Sequence, residues 1–198
     1  MARRELQRMR KLTMADELGL VGTKAASFFK NKAFFVTGLL EQDILKDAQL
    51  VLFNALKGDK PERTVMLELD QALAPYLPDV NAAGAEVNVP ARLEVIARTN
   101  LAEAMSEGRF ATFTDPELPE GFVYALQHSA ILDDRVRDSH RAMDGVTLPP
   151  AAWLGPPDRR PPGSWNCRCV LIPLSIGDEV PITPESQIPR NYPDPKFR

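Results

Sequence analysis

Asp133-Asp134-Arg135-Val136-Arg137-Asp138-Ser139-His140, continued through Asp144-Gly145, and Trp165-Asn166-Cys167-Arg168-Cys169 about twenty residues on, are the stretches around which the rest of the chain arranges itself. They hold both cysteines and one of the two histidines, set in an alternation of carboxylates and guanidinium groups. Such a concentration is either a chemical site or a polar staple that joins two distant pieces of chain. The flanking segments decide the fold class. On one side, Phe122 to Leu132 carries Val, Tyr and Ile without helical punctuation and reads as a strand. On the other, Arg168 to Ile176 offers Val170, Leu171, Ile172 and Leu174, while Pro173 confines that run to a sheet edge. The pattern predicts antiparallel strands at about 122–132 and 168–176. Between them Asp138 or Ser139 caps one or two helical turns that Gly145 ends, and Pro149 to Gly163 reads as proline-rich loop.

Upstream the period changes from strand to helix. Ile44, Ala48, Val51, Leu52 and Ala55 follow an i, i+4, i+7, i+8, i+11 stripe, which predicts a helix over 41–57 with Gly58 beyond its end. Val65, Leu69, Ala72, Leu73 and Tyr76 repeat the stripe over 62–76, stopped by Pro78. Pro90 at a first-turn position opens a third helix over 90–107, with Leu93, Ile96, Ala97, Leu101 and Ala104 facing inward until Gly108. Arg98-Thr99-Asn100 sets polar groups beside that stripe, either as a surface feature or as an arginine reaching a carboxylate across the core. The fold class is therefore α+β: three main helices packed on a small antiparallel sheet or hairpin, in a domain spanning 37–176.

Composition fits one compact domain: 198 residues, 44% hydrophobic. Residues 1–36 form a basic arm with eight Lys/Arg, among them Arg3, Arg4, Arg8, Arg10 and Lys11, against three acids. That local excess, in a chain of net charge -3, suits a phosphate backbone or an acidic protein surface, and equally a solvated helix face. Phe28, Phe29, Phe34 and Phe35 follow closely and read as packing anchors before stacking groups. After Gly177 a tail with Pro181, Pro184, Pro189, Pro193 and Pro195 is expected to run extended, without a core of its own, and to order on a partner. No run of 18 apolar residues and no apolar leader occurs, which predicts a protein that stays where it is made, off the membrane, with reduced thiols.

Four chemistries compete for the central residues. Imidazole and two thiolates suit Zn²⁺, so His140, Cys167 and Cys169 are candidate metal ligands, one short of a closed set. His128, Asp134 or Asp138 would have to supply the fourth. A Cys167/His140 pair is a possible nucleophile, although no oxyanion-hole motif accompanies it. A disulfide within Cys-x-Cys would close a strained ring. The remaining reading, a metal-free structural staple without catalytic residues, is the expectation here. It comprises Arg98, Asp134, Arg135, His140, Asp144, Gly145, Asn166, Cys167 and Cys169, with Asp134 and Arg135 expected to pair with Arg98 or a carboxylate on the third helix.

The run Asp134-Arg135-Val136-Arg137-Asp138-Ser139-His140-Arg141-Ala142-Met143-Asp144-Gly145, a proline-containing loop, and Asn166-Cys167-Arg168-Cys169 before an apolar strand resemble the C-terminal domain of the phage Mu F-like minor head, or head morphogenesis, proteins. Ala33-Phe34-Phe35-Val36-Thr37-Gly38, the helix from Glu41 and Ala97-Arg98-Thr99-Asn100 are similar too, so the resemblance covers roughly residues 33–175. It departs where many relatives carry Cys-x2-Cys and this chain has Arg137 and His140, where they have histidine in place of Ser164, and where they have Glu in place of Asn100. The metal set is thus depleted here, and the carry-over of a charge pair with Arg98 is weakened. Longer relatives also bring a larger N-terminal helical region. The resemblance implies a structural component of the virion, not an enzyme: several copies inside the head near the portal, meeting portal protein, major capsid protein or packaged DNA, after assembly in the host cytoplasm. Because domains of this family are sometimes fused to toxin modules, a Cys/His hydrolase or nuclease is the rival class, and a nucleic-acid adaptor working through residues 1–36 is a third.

Overall fold

The computed structural model describes residues 24, 25, 27, 46, 48–54, 62–73, 89–155, 157–195 and 197. Arg3, Arg4, Arg8, Arg10, Lys11, the four clustered phenylalanines, and both ends of the first expected helix lie outside these residues. Within them residues 48–54 are helical, followed by α1 (Glu62–Leu73) and α2 (Val89–Phe113). The stripes read from the sequence meet in one aliphatic cluster: Ala48 and Leu52, then Val65, Leu69 and Leu73, then Ile96, Ala97 and Ala104, joined by Ala25. Side chains at i, i+3 and i+4 share a helical face, so each helix contributes one apolar side.

Helix α2 does not stop before Gly108 as its sequence suggests. A glycine inside a helix costs about 1 kcal/mol against alanine. Continuing the helix, however, carries Phe110 into a second core, where it is 7% exposed and lies 5.0 Å under the Arg160 guanidinium. Tertiary packing outweighs the local preference. The helix ends only where Thr114 turns back, its N–H and its hydroxyl both donating to the Phe110 carbonyl.

Three antiparallel strands follow, β1 (Val123–Ser129), β2 (Thr147–Leu148) and β3 (Val170–Ser175), in the order β2-β1-β3. Pro173 sits opposite Leu126 on the edge strand β3, where a missing N–H is tolerated. Two short elements lie between the strands: α3 (Asp138–Met143), closed by Gly145 at φ +80°, and α4 (Pro150–Trp153). The stretch expected to be loop, Pro149 to Gly163, thus holds a helical turn directly after the strand β2, and the reason is Trp153. Its ring is fully buried and its Nε1–H donates to the Leu148 carbonyl at 3.2 Å, which fixes the chain on both sides. The second core gathers Phe110, Leu126, Met143, Val146, Leu148, Trp153, Leu171, Ile188 and Tyr192.

The last two of these belong to the tail and give it anchors in the domain. Residues 177–195 do run mostly extended, with one 3-10 turn at Glu185–Gln187, and they dock on their own domain. Thr183 N–H donates to Thr147 O at 2.8 Å, Thr147 N–H donates back to Thr183 Oγ1 at 2.9 Å, and Asp194 N–H donates to Gly163 O at 2.9 Å. Tyr124 hydroxyl donates to Val180 O and accepts from Val180 N–H. Prolines deny a segment helix and central strand without preventing it from docking, and Ile188 and Tyr192 are the anchors. The tail beyond residue 176 thus shares a core with the sheet. Among the described residues no helix is long and apolar enough to cross a membrane.

Candidate functional site

Helix α3 is too short to be stable alone and is held by its ends. At its C-terminus, Asp144 Oδ1 accepts from Ala130 N–H at 2.8 Å, Gly145 N–H donates to His128 O at 2.9 Å, and His128 N–H donates to Val146 O at 2.8 Å. Asp144 and Gly145 thereby tie the helix to β1. At its N-terminus Arg137 donates to the Trp165 carbonyl at 3.1 Å. So held, α3 buries Met143 and His140 on its inner face.

The other half arrives through Asn166, whose φ of +55° turns the chain into β3. Asparagine is among the few non-glycine residues that tolerate this region. Its N–H donates to Thr99 Oγ1 on α2 at 2.9 Å. Cys167 and Cys169 then face inward while Arg168, between them, grips both oxygens of Asp133 at 2.7 Å each. That bidentate pairing holds the Asp133 carboxyl down to about 2.

The two halves meet at His140. Its Nδ1 lies 3.2 Å from Cys169 Sγ and 3.5 Å from Cys167 Sγ, and its Nε2 lies 2.9 Å from Ser164 Oγ. Cys169 N–H also donates to Cys167 Sγ at 3.4 Å, and both thiols are free. The interaction with the Cys169 thiol holds Cys167 well below the ordinary thiol range, and the same interaction together with burial pushes Cys169 up. Over the cluster, the Tyr192 ring meets His140 edge-on at 5.2 Å and His128 edge-on at 5.2 Å, with its hydroxyl 3.3 Å from His128 Nε2. Burial of His128 lowers its pKa to about 4, so the ring is neutral near pH 7, and its Nδ1 has no hydrogen-bond partner among the described residues.

The structure gathers His140, Cys167, Cys169, Asn166, Asp144 and Gly145 around one joint. It does not bring Arg98 there. Arg98 sits on the outer side of α2, half exposed, paired with Glu94 one turn earlier at 2.7 Å, and Asp134 and Arg135 are exposed. The reason is helical phase: Ile96, Ala97, Thr99 and Asn100 take the inner positions, leaving residue 98 outside. Thr99 is the residue of that trio that reaches the loop. Asn100 satisfies itself within the helix, Nδ2 donating to Ile96 O at 2.8 Å. Two participants went unread in the sequence: Asp133, although it heads the acidic run, and Tyr192, an aromatic alone among prolines; Ser164 stands out there only as a departure from relatives. A third unread residue, Arg160, bridges Asp158 and Glu107 at 2.7 and 2.6 Å and ties the proline-rich loop to α2.

Among the described residues two clefts border Cys167 and Cys169. One, of about 90 Å³, lies between α2 and β3 beside Met105 and Arg109; the other is lined by Arg135, Arg137 and Asn166 with His140. The donor atoms of His140, Cys167 and Cys169 all lie within 4.8 Å of one another. They are soft enough for a thiophilic cation and one fewer than the four of a closed zinc site.

Helices clasped to a three-stranded antiparallel sheet by a buried histidine-cysteine joint define an α+β structural domain. Over residues 49–172, well over half of the chain, it matches the family model described as phage Mu protein F like protein. The chain belongs to that family. Neither a curated protein nor a solved structure matches it significantly. The family match ends before Ile188 and Tyr192, so the tail that closes the second core lies beyond it.

Proposed function

We propose that this protein is a minor head protein of a tailed phage or phage-like particle, a structural component without catalytic activity that sits inside the head near the portal. There it assists head assembly and the packaging or release of the genome. The observation that carries this reading is the family match over residues 49–172, which takes in α1, α2, most of the sheet and the His140/Cys167/Cys169 joint together and supports a role in phage head morphogenesis in general. The joint fits a structural role, because its groups face one another and fasten elements 24 to 67 residues apart. Portal protein, major capsid protein and packaged DNA are the partners this position offers, with several copies per particle.

The basic arm of residues 1–36 is the part suited to DNA or to an acidic portal surface. Part of that charge is spent at home: Lys24 pairs with Asp115 and donates to the Ala111 carbonyl, tying that residue of the arm to the close of α2. The test is to replace Arg3, Arg4, Arg8 and Arg10 with Gln in the full chain. Incorporation into heads and DNA retention are expected to fall, with the thermal unfolding of the domain unchanged. Unaltered incorporation and retention at low and moderate salt would remove the arm from the proposal.

A further inference from the structure

The joint between α3 and β3 has the construction of a metal site as well as that of a hydrogen-bonded clasp. The imidazole Nδ1 points at both sulfurs, at 3.2 and 3.5 Å. A tetrahedral ion with bonds of about 2.0–2.1 Å to nitrogen and about 2.3 Å to sulfur holds those atoms roughly 3.5 Å apart, so little has to move. The ring is already oriented by its far side, where Nε2 meets Ser164 Oγ at 2.9 Å. An outer contact of this kind fixes which nitrogen is left to bind a metal. The three side chains are 3%, 5% and 9% exposed, and Tyr192 covers the imidazole. One side stays open, where the cleft lined by Arg135, Arg137 and Asn166 reaches His140 and both cysteines.

We infer that His140, Cys167 and Cys169 bind a thiophilic divalent cation of the zinc class through three protein ligands, with the fourth position facing the cleft beneath Arg135 and Arg137 and completed by water or a small anion. Sites closed by four protein ligands are structural, whereas three leave one exchangeable place. Each sulfur that coordinates as thiolate gives up its proton to solvent, so uptake is favoured as pH rises. The cation would replace weak contacts between sulfur and imidazole with coordinate bonds and lock α3 and β3 together. The inference rests on the joint being a fastening point and is independent of where in the particle the protein sits.

The experiment uses the reduced full chain, dialysed against Zn²⁺ alone and, separately, against Co²⁺ alone as a spectroscopic probe. About one ion per chain is expected, with thiolate-to-cobalt charge-transfer bands, visible bands typical of four coordination, and a rise in melting temperature on adding Zn²⁺. Cys167→Ser should abolish the charge-transfer bands from that sulfur and weaken zinc binding. Because a ligand variant can also unfold, Ser164→Ala supplies a second reading: it touches no ligand atom, should stay folded by circular dichroism, and should weaken binding by roughly 10- to 100-fold. Folded wild-type protein with both thiols titratable that takes up neither ion overturns the inference, as does uptake that persists in Cys167→Ser/Cys169→Ser. Either result leaves the head-protein reading standing, since that is tested by incorporation and DNA retention.

Discussion

Among the described residues the molecule has two cores of opposite character, strung on one helix. The first, between residues 48–54, α1 and the front of α2, is alanine, leucine, valine and isoleucine. The second, behind α2, is built on Phe110, Trp153 and Tyr192, and polar groups are buried beside it: His128, His140, Thr147 and Ser164. Aliphatic packing is non-directional and depends on area and shape. Buried polar groups each demand a partner at a set distance and angle. The first core is therefore specified by periodicity within each helix. The second is specified by pairings across the chain, and it is the one that holds the joint.

The sharpest way to break this contrast is Tyr192→Ala. The substitution empties a site that is 1% exposed, strips His128 Nε2 of its partner and uncovers His140. A loss of about 3–5 kcal/mol is expected, the range for deleting a buried aromatic. Hydrogen exchange should show β1, β3 and α3 losing protection first, while α1 and the front of α2 hold. Equal loss in both halves, or none, would mean that the two cores do not differ in this way. Removing residues 178–198 should act in the same direction.

Acid tests the same core more gently. His128 is buried neutral with its pKa lowered to about 4, whereas an unfolded histidine titrates near 6.5. The unfolded chain therefore takes up the proton first as pH falls. The stability contributed by neutral His128 is complete above about 6.5 and drains away between there and about 4, by roughly 3 kcal/mol. Urea unfolding at pH 7 and pH 4.5 measures it, and His128→Gln should flatten the dependence. The smallest effects come from neighbouring positions on α2. Thr99→Val leaves the Asn166 N–H without its acceptor and should cost about 1 kcal/mol. Arg98→Ala removes a half-exposed i,i+4 pair and should cost under about 0.5 kcal/mol. The reverse order would restore Arg98 to the joint.

How much was legible follows from this division. Leu52, Leu69, Leu73, Ile96 and Ala104 announce their burial by spacing, and the structure places them together. The strand pair was legible from β-rich runs, with Pro173 marking the edge. In the joint, His140, Cys167 and Cys169 stood out by rarity of type and meet within hydrogen-bonding reach. Their partners did not stand out. Thr99 and Arg98 are adjacent in sequence, and only the rotation of a finished helix sends one inward. Tyr192 lies among prolines that argue for an exposed strap, and its burial depends on a gap between His128 and His140 that exists only once β1 and α3 are in place. Gly163 shows how close that fit is: a Cβ there would come 2.2 Å from the Tyr192 ring.

The same tyrosine sets the order of events during synthesis. Translation delivers the chain from its N-terminus at about 5–20 residues per second. The aliphatic core has all its parts once α2 has emerged, and it can close early. The aromatic core cannot, because its keystone comes 64 residues after the histidine it clasps. For several seconds after β1 appears, the free thiols of Cys167 and Cys169, once made, and the faces of Trp153 and His128 await their cover. Nascent chains are thus most open to oxidation, capture by chaperones and mispairing in that interval.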